Sequence, residues 1–301
     1  MVPTDSSAPG TQGYVIRRMQ RPELDDALAQ AAAEGWNPGR NDAEAFWRAD
    51  ERGFFLGLLD GRPAASIAAV RYEGDASGPA FGFVGLYIVR QDLRGRGYGM
   101  RLWRESLSTL GTPTIGLDAV VAHLDTYRRD GFELARLSSR YESPAQGLGG
   151  TVGGGAAPEG LRPLAETPFA EVLAYDRLCF PARREAFLRA WTTLPGHAAL
   201  GLSRGGRLAG YGVVRPCGTG SKIGPLFADD EAAAHILFHG LCAAAPQAPV
   251  YFDAPTSNPA AVRLAEEHGM RVVFQTGRMY LGPAPRYDLA REFGVTSFEL
   301  G

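Results

Sequence analysis

The feature that most constrains this chain is a repeat. "LGLLDGRPAASIAAVR" (56–71) lies over "LGLSRGGRLAGYGVVR" (200–215) without a gap. Leu, Gly and Leu coincide at the start, then Gly61 with Gly205, Ala65 with Ala209, and Val-Arg at the end. Upstream and in the same order, "EAFWRA" (44–49) lies over "EAFLRA" (185–190). Two matches in one order predict tandem duplication, hence two copies of one fold. Between them, "SPAQGLGGTVGGGAAPEG" (143–160) has almost no large apolar side chain and reads as a Gly/Ala-rich linker. The expected domains are residues 14–142 and 161–301, a division that a 301-residue chain accommodates comfortably.

The repeated unit is legible. "FFLGLL" and "ASIAAVRY" read as strands around the turn "DGRP", and the copy turns on "RGGR". Two helical segments, "RPELDDALAQAAAEG" and "DAEAFWRAD", precede that hairpin. After it, "FGFVGLYIV" is almost wholly apolar, as in a strand buried on both faces. A glycine loop follows, then "MRLWRESLSTLG", whose Trp103, Leu107 and Leu110 share a helical face. "TIGLDA" (strand), "VVAHLDTYRRDG" (helix) and "FELARLSSRY" (strand) complete the unit. This order predicts a mixed-sheet, three-layer α/β/α fold and not an all-parallel one.

Composition narrows the functions. The formal net charge is -2, so no basic excess points to nucleic acid or an anionic membrane. Three cysteines (Cys179, Cys217, Cys242) without C-x-x-C spacing fit neither a disulfide framework nor a zinc ribbon, and suit a reducing cytoplasm. "MVPTDSSAPGTQG" has no apolar core of a signal peptide, and no run of about 18 apolar residues occurs. Cys217 lies in a Pro/Gly-rich loop without a Cys-His motif, which argues against a nucleophile. His235 and His239 stand at i, i+4, but without the glutamate of H-E-x-x-H they read as an ordinary helix face. No metal is expected.

The chemistry concentrates in "QDLRGRGYGM" (91–100), directly after the buried strand. A helix N-terminus offers unpaired N–H groups and partial positive charge. Glycines let backbone curl around a phosphate, and arginines add charge-assisted bonds. The G-x-G-x-x-G fingerprint fails because Met100 holds the third glycine position, and no G-K-[ST] tripeptide exists for a Walker loop. What remains is Arg94-x-x-Gly97-x-Gly99. A glycine-rich turn without ligand stays open on the short motif alone.

At these residues the sequence resembles the GCN5-related N-acetyltransferase (GNAT) superfamily. "YIVRQDLRGRGYGMRLW" is similar to its acetyl-CoA loop, patterned Gln/Arg-x-x-Gly-x-Gly/Ala, and "TYRRDGF" (126–132) to its "LYxxxGF". The element order is also that of the family. The resemblance covers residues 14–142, with the C-terminal half resembling a divergent second copy. "WNPG" early and "GVTSFELG" at the end look like a tandem bacterial subgroup.

The resemblance implies a strand that splays from its neighbour at Tyr87, Ile88 and Val89, where pantetheine bonds the backbone. It implies a pyrophosphate wrapped by backbone from Gly95 through Arg96, Gly97, Tyr98 and Gly99 to Met100, beside Arg94. An N–H near Ile88 or Val89 would polarise the thioester carbonyl. Tyr127 is the implied acid for the leaving thiolate, against a structural aromatic. The base is open: Asp118 ends its strand and could face the cleft or cap the next helix, and His123 lies one turn before Tyr127. Val120 stands where the family often has asparagine, which leaves that CoA contact unsupported.

The implied activity is transfer of acetyl from acetyl-CoA to a primary amine, of a small molecule or a peptide, in a ternary complex. A non-catalytic acyl-CoA sensor is the alternative, and a nucleotide-binding protein a weaker one. Nothing in the sequence selects the acceptor, or decides between monomer and homodimer. The second copy keeps the hairpin but reads "IGPLFADDEAAA" at the loop, where Asp229, Asp230 and Glu231 would repel a pyrophosphate. Counting back from its glycine, Ala265 takes the place of Tyr127. One CoA per chain is expected, with the second copy shaping the acceptor site.

Overall fold

A computed structural model describes residues 13–76, 78–144 and 158–301, so most of the proposed linker lies outside the described residues. The first copy runs β1 (Tyr14–Arg18), α1 (Arg21–Ala33), α2 (Asp42–Ala49), β2 (Phe54–Leu59), β3 (Arg62–Tyr72), β4 (Phe81–Val89), α3 (Tyr98–Ser108), β5 (Thr114–Val120), α4 (Leu124–Arg129) and β6 (Glu133–Glu142). The second repeats it: β7 (Leu161–Pro163), α5 (Phe169–Cys179), α6 (Glu185–Trp191), β8 (Ala198–Arg204), β9 (Arg207–Pro216), β10 (Ser221–Ala228), α7 (Glu231–Ala244), β11 (Val250–Pro255), α8 (Pro259–Glu267) and β12 (Arg271–Leu281). A last strand, β13 (Glu292–Gly294), has no counterpart among the described residues of the first copy. Both hairpins turn on two left-handed residues, Asp60-Gly61 and Gly205-Gly206, the geometry that continues strand twist.

Among the described residues all strands join one mixed sheet, ordered β1-β2-β3-β4-β5-β12-β6-β11-β10-β9-β8-β7, with β13 on β10. The copies have exchanged their final strands. β12 of the second copy pairs antiparallel with β5 of the first, and β6 of the first pairs antiparallel with β11 of the second. The exchanged strands also pair with each other along nearly their whole length. Helices cover both faces, as expected of the fold class. In the first copy α1 and α2 pack on one face around Leu24, Phe46 and Phe83, and α3 on the other around Leu102 and Trp103. The two cores meet where α2 and α6 touch, with Phe46 stacked on Trp191 at 6.0 Å.

A buried ion pair marks each exchange. Arg278 on β12 lies opposite Asp118 on β5 and holds both its oxygens at 2.8 and 2.7 Å. Arg140 on β6 lies opposite Asp253 on β11 with bonds of 2.7 and 2.8 Å. Burial works against the charge on Arg278, yet Asp118 holds its guanidinium more firmly protonated than usual. For Asp253 burial likewise opposes charge, and Arg140 wins, holding the carboxyl below its ordinary value. A third buried pair, Arg215 with Asp42, ties β9 to α2 at 3.0 Å. No helix among the described residues is long and apolar enough to cross a membrane.

Arg278→Leu should lower the unfolding free energy by about 3–5 kcal/mol, because Asp118 is left charged, buried and unpaired. Removing both charges in Asp118→Leu/Arg278→Leu should restore much of that loss. Equilibrium denaturation of the full chain measures both, and a single variant as stable as the parent would contradict the assignment.

Candidate active site

β4 and β5 run parallel and pair only from Phe81 with Thr114 to Val84 with Leu117. Beyond that the strands part. A bulge produces the divergence: Ser66 faces Ile88 and Ala68 faces Gly85, two steps on β3 against three on β4. Leu86 carries the bulge at φ 49°, unusual for a side chain of its size, and its carbonyl accepts from Ser66 Oγ at 3.1 Å. Among the described residues the backbone edge of β4 from Gly85 to Val89 therefore has no strand on its far side, and it borders a cavity of about 440 Å³. Tyr87, Ile88, Val89, Arg94, Asp118 and Tyr127 all line it.

The glycine loop lies at one end of this gap. Gly95 and Gly97 are left-handed (φ 76° and 87°), and space for a Cβ is open at both. Gly97 is the N-cap of α3, and Arg101 N–H bonds its carbonyl at 3.1 Å, so the N–H groups of the first turn lack helical partners. Gly99 is required for a different reason. A Cβ there would meet the Tyr87 hydroxyl and Val89 Cγ2 at 2.6 Å, so glycine lets α3 close onto β4. Tyr98 is buried against Tyr14, while Arg96 and Met100 are exposed. Arg94 is tied down. Its Nε donates to Val89 O at 2.9 Å and its guanidinium pairs with Glu34 at the end of α1, bracing the loop.

Tyr127 is positioned by an aromatic row. Trp103 of α3 sits between Tyr87 (5.3 Å) and Tyr127 (5.4 Å), and Phe132 closes the row edge-on at 6.2 Å from Tyr127. Burial, with the nearby charge of Asp130, pushes the Tyr127 phenol up to about 12, so it remains a proton donor at neutral pH. Burial also raises the phenol of Tyr87.

Asp118 departs from the reading as a base. It borders the cavity, but both oxygens are engaged by Arg278 in the buried pair described above. Taking a proton there would leave that guanidinium unpaired in the interior, so its role is structural. Nor does it cap the next helix: Asp118 lies within β5. His123 also lines the cavity from an exposed turn before α4. His235 and His239 lie on α7, away from this cavity's lining, where His268 joins them with Nε2 at 3.3 Å from His239 Nε2.

The second copy has the same parting of strands but not the same opening. β10 and β11 pair only from Ser221 with Val250 to Ile223 with Phe252. Into the gap beyond goes β13, pairing Leu226 with Gly294 and Phe227 with Glu292, while Val295 N–H bonds Asp253 O at 2.9 Å. At the helix start Asp230 caps α7, accepting from Ala233 N–H at 2.7 Å. Ala265 occupies the place of Tyr127: its carbonyl accepts from Met270 N–H at 3.1 Å, as that of Tyr127 does from Phe132 N–H.

Sequence reasoning missed the residues supplied across the copies. Phe274 and Thr276 on the exchanged β12, and Phe298 and Glu299 near residue 301, border the cavity together with the first copy's own Trp36 and Arg140. Only the terminal "GVTSFELG" hinted at that last segment.

Comparison with known proteins agrees with this architecture. The family model described as "Acetyltransferase (GNAT) family" matches residues 21–130, and that described as "Acetyltransferase (GNAT) domain" matches 172–294. The chain is 29% identical over 276 residues to a protein of Pseudoalteromonas sp. (strain SANK 73390) named Holothin acyltransferase, covering 90% of this chain and 89% of that one. It is similar in fold to a putative acetyltransferase from Pyrococcus horikoshii, with TM-score 0.80, 21% identity and 99% of each chain covered. A tandem GNAT protein from the clavulanic acid biosynthesis pathway matches at TM-score 0.60 and 14% identity, over 90% of this chain and 99% of that one.

Gly97→Trp should weaken CoA binding at least tenfold. The new side chain would stand where an anion approaches the first-turn N–H groups. The left-handed backbone adds a strain of about 1–2 kcal/mol, small enough for the fold to persist. Calorimetric titration with CoA reads the first effect and a thermal melt the second. Parental affinity would remove the loop from the site.

Proposed function

The chain belongs to the GNAT superfamily of acyltransferases, with two domains of that fold, and from that premise we propose that its first copy transfers acetyl from acetyl-CoA to a primary amine within one ternary complex. The observation that carries this reading is the gap between β4 and β5, flanked by the glycine loop and by Tyr127. Its open backbone edge suits the amides of a pantetheine arm, which would bond it like a strand. The open space over Gly95 and Gly97, with the first turn of α3 behind it, suits a pyrophosphate.

In the transfer, the amine nitrogen attacks the thioester carbon and the C–S bond breaks. Tyr127 gives its phenolic proton to the leaving thiolate. A backbone N–H on the free edge of β4 near Ile88 or Val89 stabilises the oxyanion. Transfer is favoured over mere sensing because the relative over most of the chain is named an acyltransferase and because Tyr127 remains a phenol in the cavity. The acceptor is a small-molecule amine or the amine of a peptide, without nucleic acid or membrane, and the protein acts in the cytoplasm as a monomer or homodimer. Residues 14–142 carry the glycine loop and Tyr127 and 161–301 the copy that shapes the acceptor end, joined by 143–160, with the division corrected at each last strand: β6 pairs in the second copy and β12 in the first.

The second copy should hold no CoA, because β13 fills its gap and Asp230 its helix N-terminus. Calorimetry on the intact chain should therefore give one CoA per chain, and two equivalent sites would sink this division of labour.

Tyr127→Phe should lower kcat for thiol release from acetyl-CoA and an amine about a hundredfold or more, with CoA affinity unchanged. The alkaline arm offers a check of sign. A phenol near 12 stays protonated as pH rises, so the parental rate should show no fall from this group below about pH 10. An unchanged kcat in the variant, with chemistry limiting, would make Tyr127 structural.

A further inference from the structure

We infer that Glu299, carried into the first copy's cavity by the chain's own C-terminal tail, receives the acceptor amine and takes its proton. This rests on the amine-transfer reading above and supplies the base that it lacks.

The tail is built into the protein. Residues 294–301 are all buried. From β13 the chain passes Gly224, where a Cβ would meet the carbonyls of Val295 and Thr296 at 2.6 Å. It then passes Gly85, where a Cβ would collide with the carbonyl of Glu299. Gly224 directly follows the last β10–β11 pair and Gly85 the last β4–β5 pair, so they are equivalent points in the two copies. One segment thus fills the second copy's gap and ends at the floor of the first copy's. Arg184 Nη2 donates to Thr296 Oγ1 at 2.9 Å and Tyr72 OH to Leu300 O at 3.0 Å, which fixes the tail on both sides of Glu299.

Glu299 is 3% exposed, borders the cavity, and makes no hydrogen bond or ion pair among the described residues. The other carboxylates there are engaged: Asp118 by Arg278, and Glu34 by Arg94. The cations that act on Glu299 stand at a distance, Arg140 on β6, Arg215 on β9 and Lys222 on β10. Arg140 and Arg215 are matched by Asp253 and Asp42, while Lys222 Nζ donates to Asn37 O at 2.7 Å. Burial and Arg140 work against the charge on Lys222, and Glu299 acts on it without an ion pair. Such a bare carboxylate can accept a hydrogen bond from a neutral amine and take its proton as the nitrogen attacks. Tyr87, His123 and Tyr127, with the guanidinium groups of Arg94 and Arg140, are the other titratable side chains at the cavity. Trp36, Phe274 and Phe298 line the same cavity, with Phe274 and Phe298 in ring contact beside Glu299, so the amine it takes has a flat apolar body.

The step balances. One amine proton passes to Glu299 as the nitrogen attacks, the C–S bond breaks, and the thiolate takes the proton of Tyr127. Solvent then carries the proton from Glu299 back to Tyr127.

The test uses the full chain with acetyl-CoA and a panel of arylalkylamines and polyamines, read as thiol release. Glu299→Gln should bind acetyl-CoA as the parent does, lower kcat by about 10²–10⁴-fold, and lose the acidic limb of the parental pH profile. Glu299→Asp should keep that limb at an intermediate rate, and it decides the matter if the glutamine variant does not fold. Arylalkylamines should outperform polyamines. Parental rates and pH profile in either folded variant would overturn the inference alone. A parent that releases no thiol with any amine would overturn the transfer reading, and this inference with it.

Discussion

The structure hangs on the reciprocal exchange of the last strand of each copy, locked by Arg278–Asp118 and Arg140–Asp253. Each arginine lies directly across from its aspartate in the sheet register. A slip by one residue would turn both arginines to the other face and strand four charges in the interior. Buried pairs of this kind add little net stability over apolar side chains, so we read them as devices that fix register. The consequence is mechanical: β5 and β11, the strands that border the two gaps, are each held by the other copy.

That exchange explains how two similar copies come to do different things. The same bulge opens β4 from β5 and β10 from β11. In the second copy the opening is closed by β13, which supplies backbone bonds where a ligand would otherwise supply them. Asp230 likewise supplies a carboxylate where an anion would sit. The copy that gave up its gap turns the chain toward the copy that kept its own, and Gly224 and Gly85 give the tail room to pass at the same point of each.

Within the retained gap, electrostatics sorts groups that look alike in sequence. Asp118 and Glu299 are both buried carboxylates at one cavity. Asp118 is neutralised by contact with Arg278, whereas Glu299 has no cation in contact among the described residues. Tyr127 differs from both: it packs in a row of aromatic neighbours, and burial holds its proton on.

The sequence by itself determined everything local. The glycines of the loop, the Asp60-Gly61 and Gly205-Gly206 turns, the apolar run of β4 and the matched halves are short-range patterns, and each fixes its element through backbone geometry or periodicity. Family membership and the α/β class follow from those. The motif around Tyr127 led to the cavity because loop and helix lie on adjacent elements of one copy. Which carboxylate is free could not be read, since that depends on residues about 160 positions away, such as Arg278 for Asp118. Nothing in the sequences of β6 and β12 says which sheet each joins, because the choice is made by partners far along the chain, such as Asp253 for Arg140 and Asp118 for Arg278. Only the packed structure decided that β6 and β12 change places, that β13 enters one gap, and that Glu299 reaches the other.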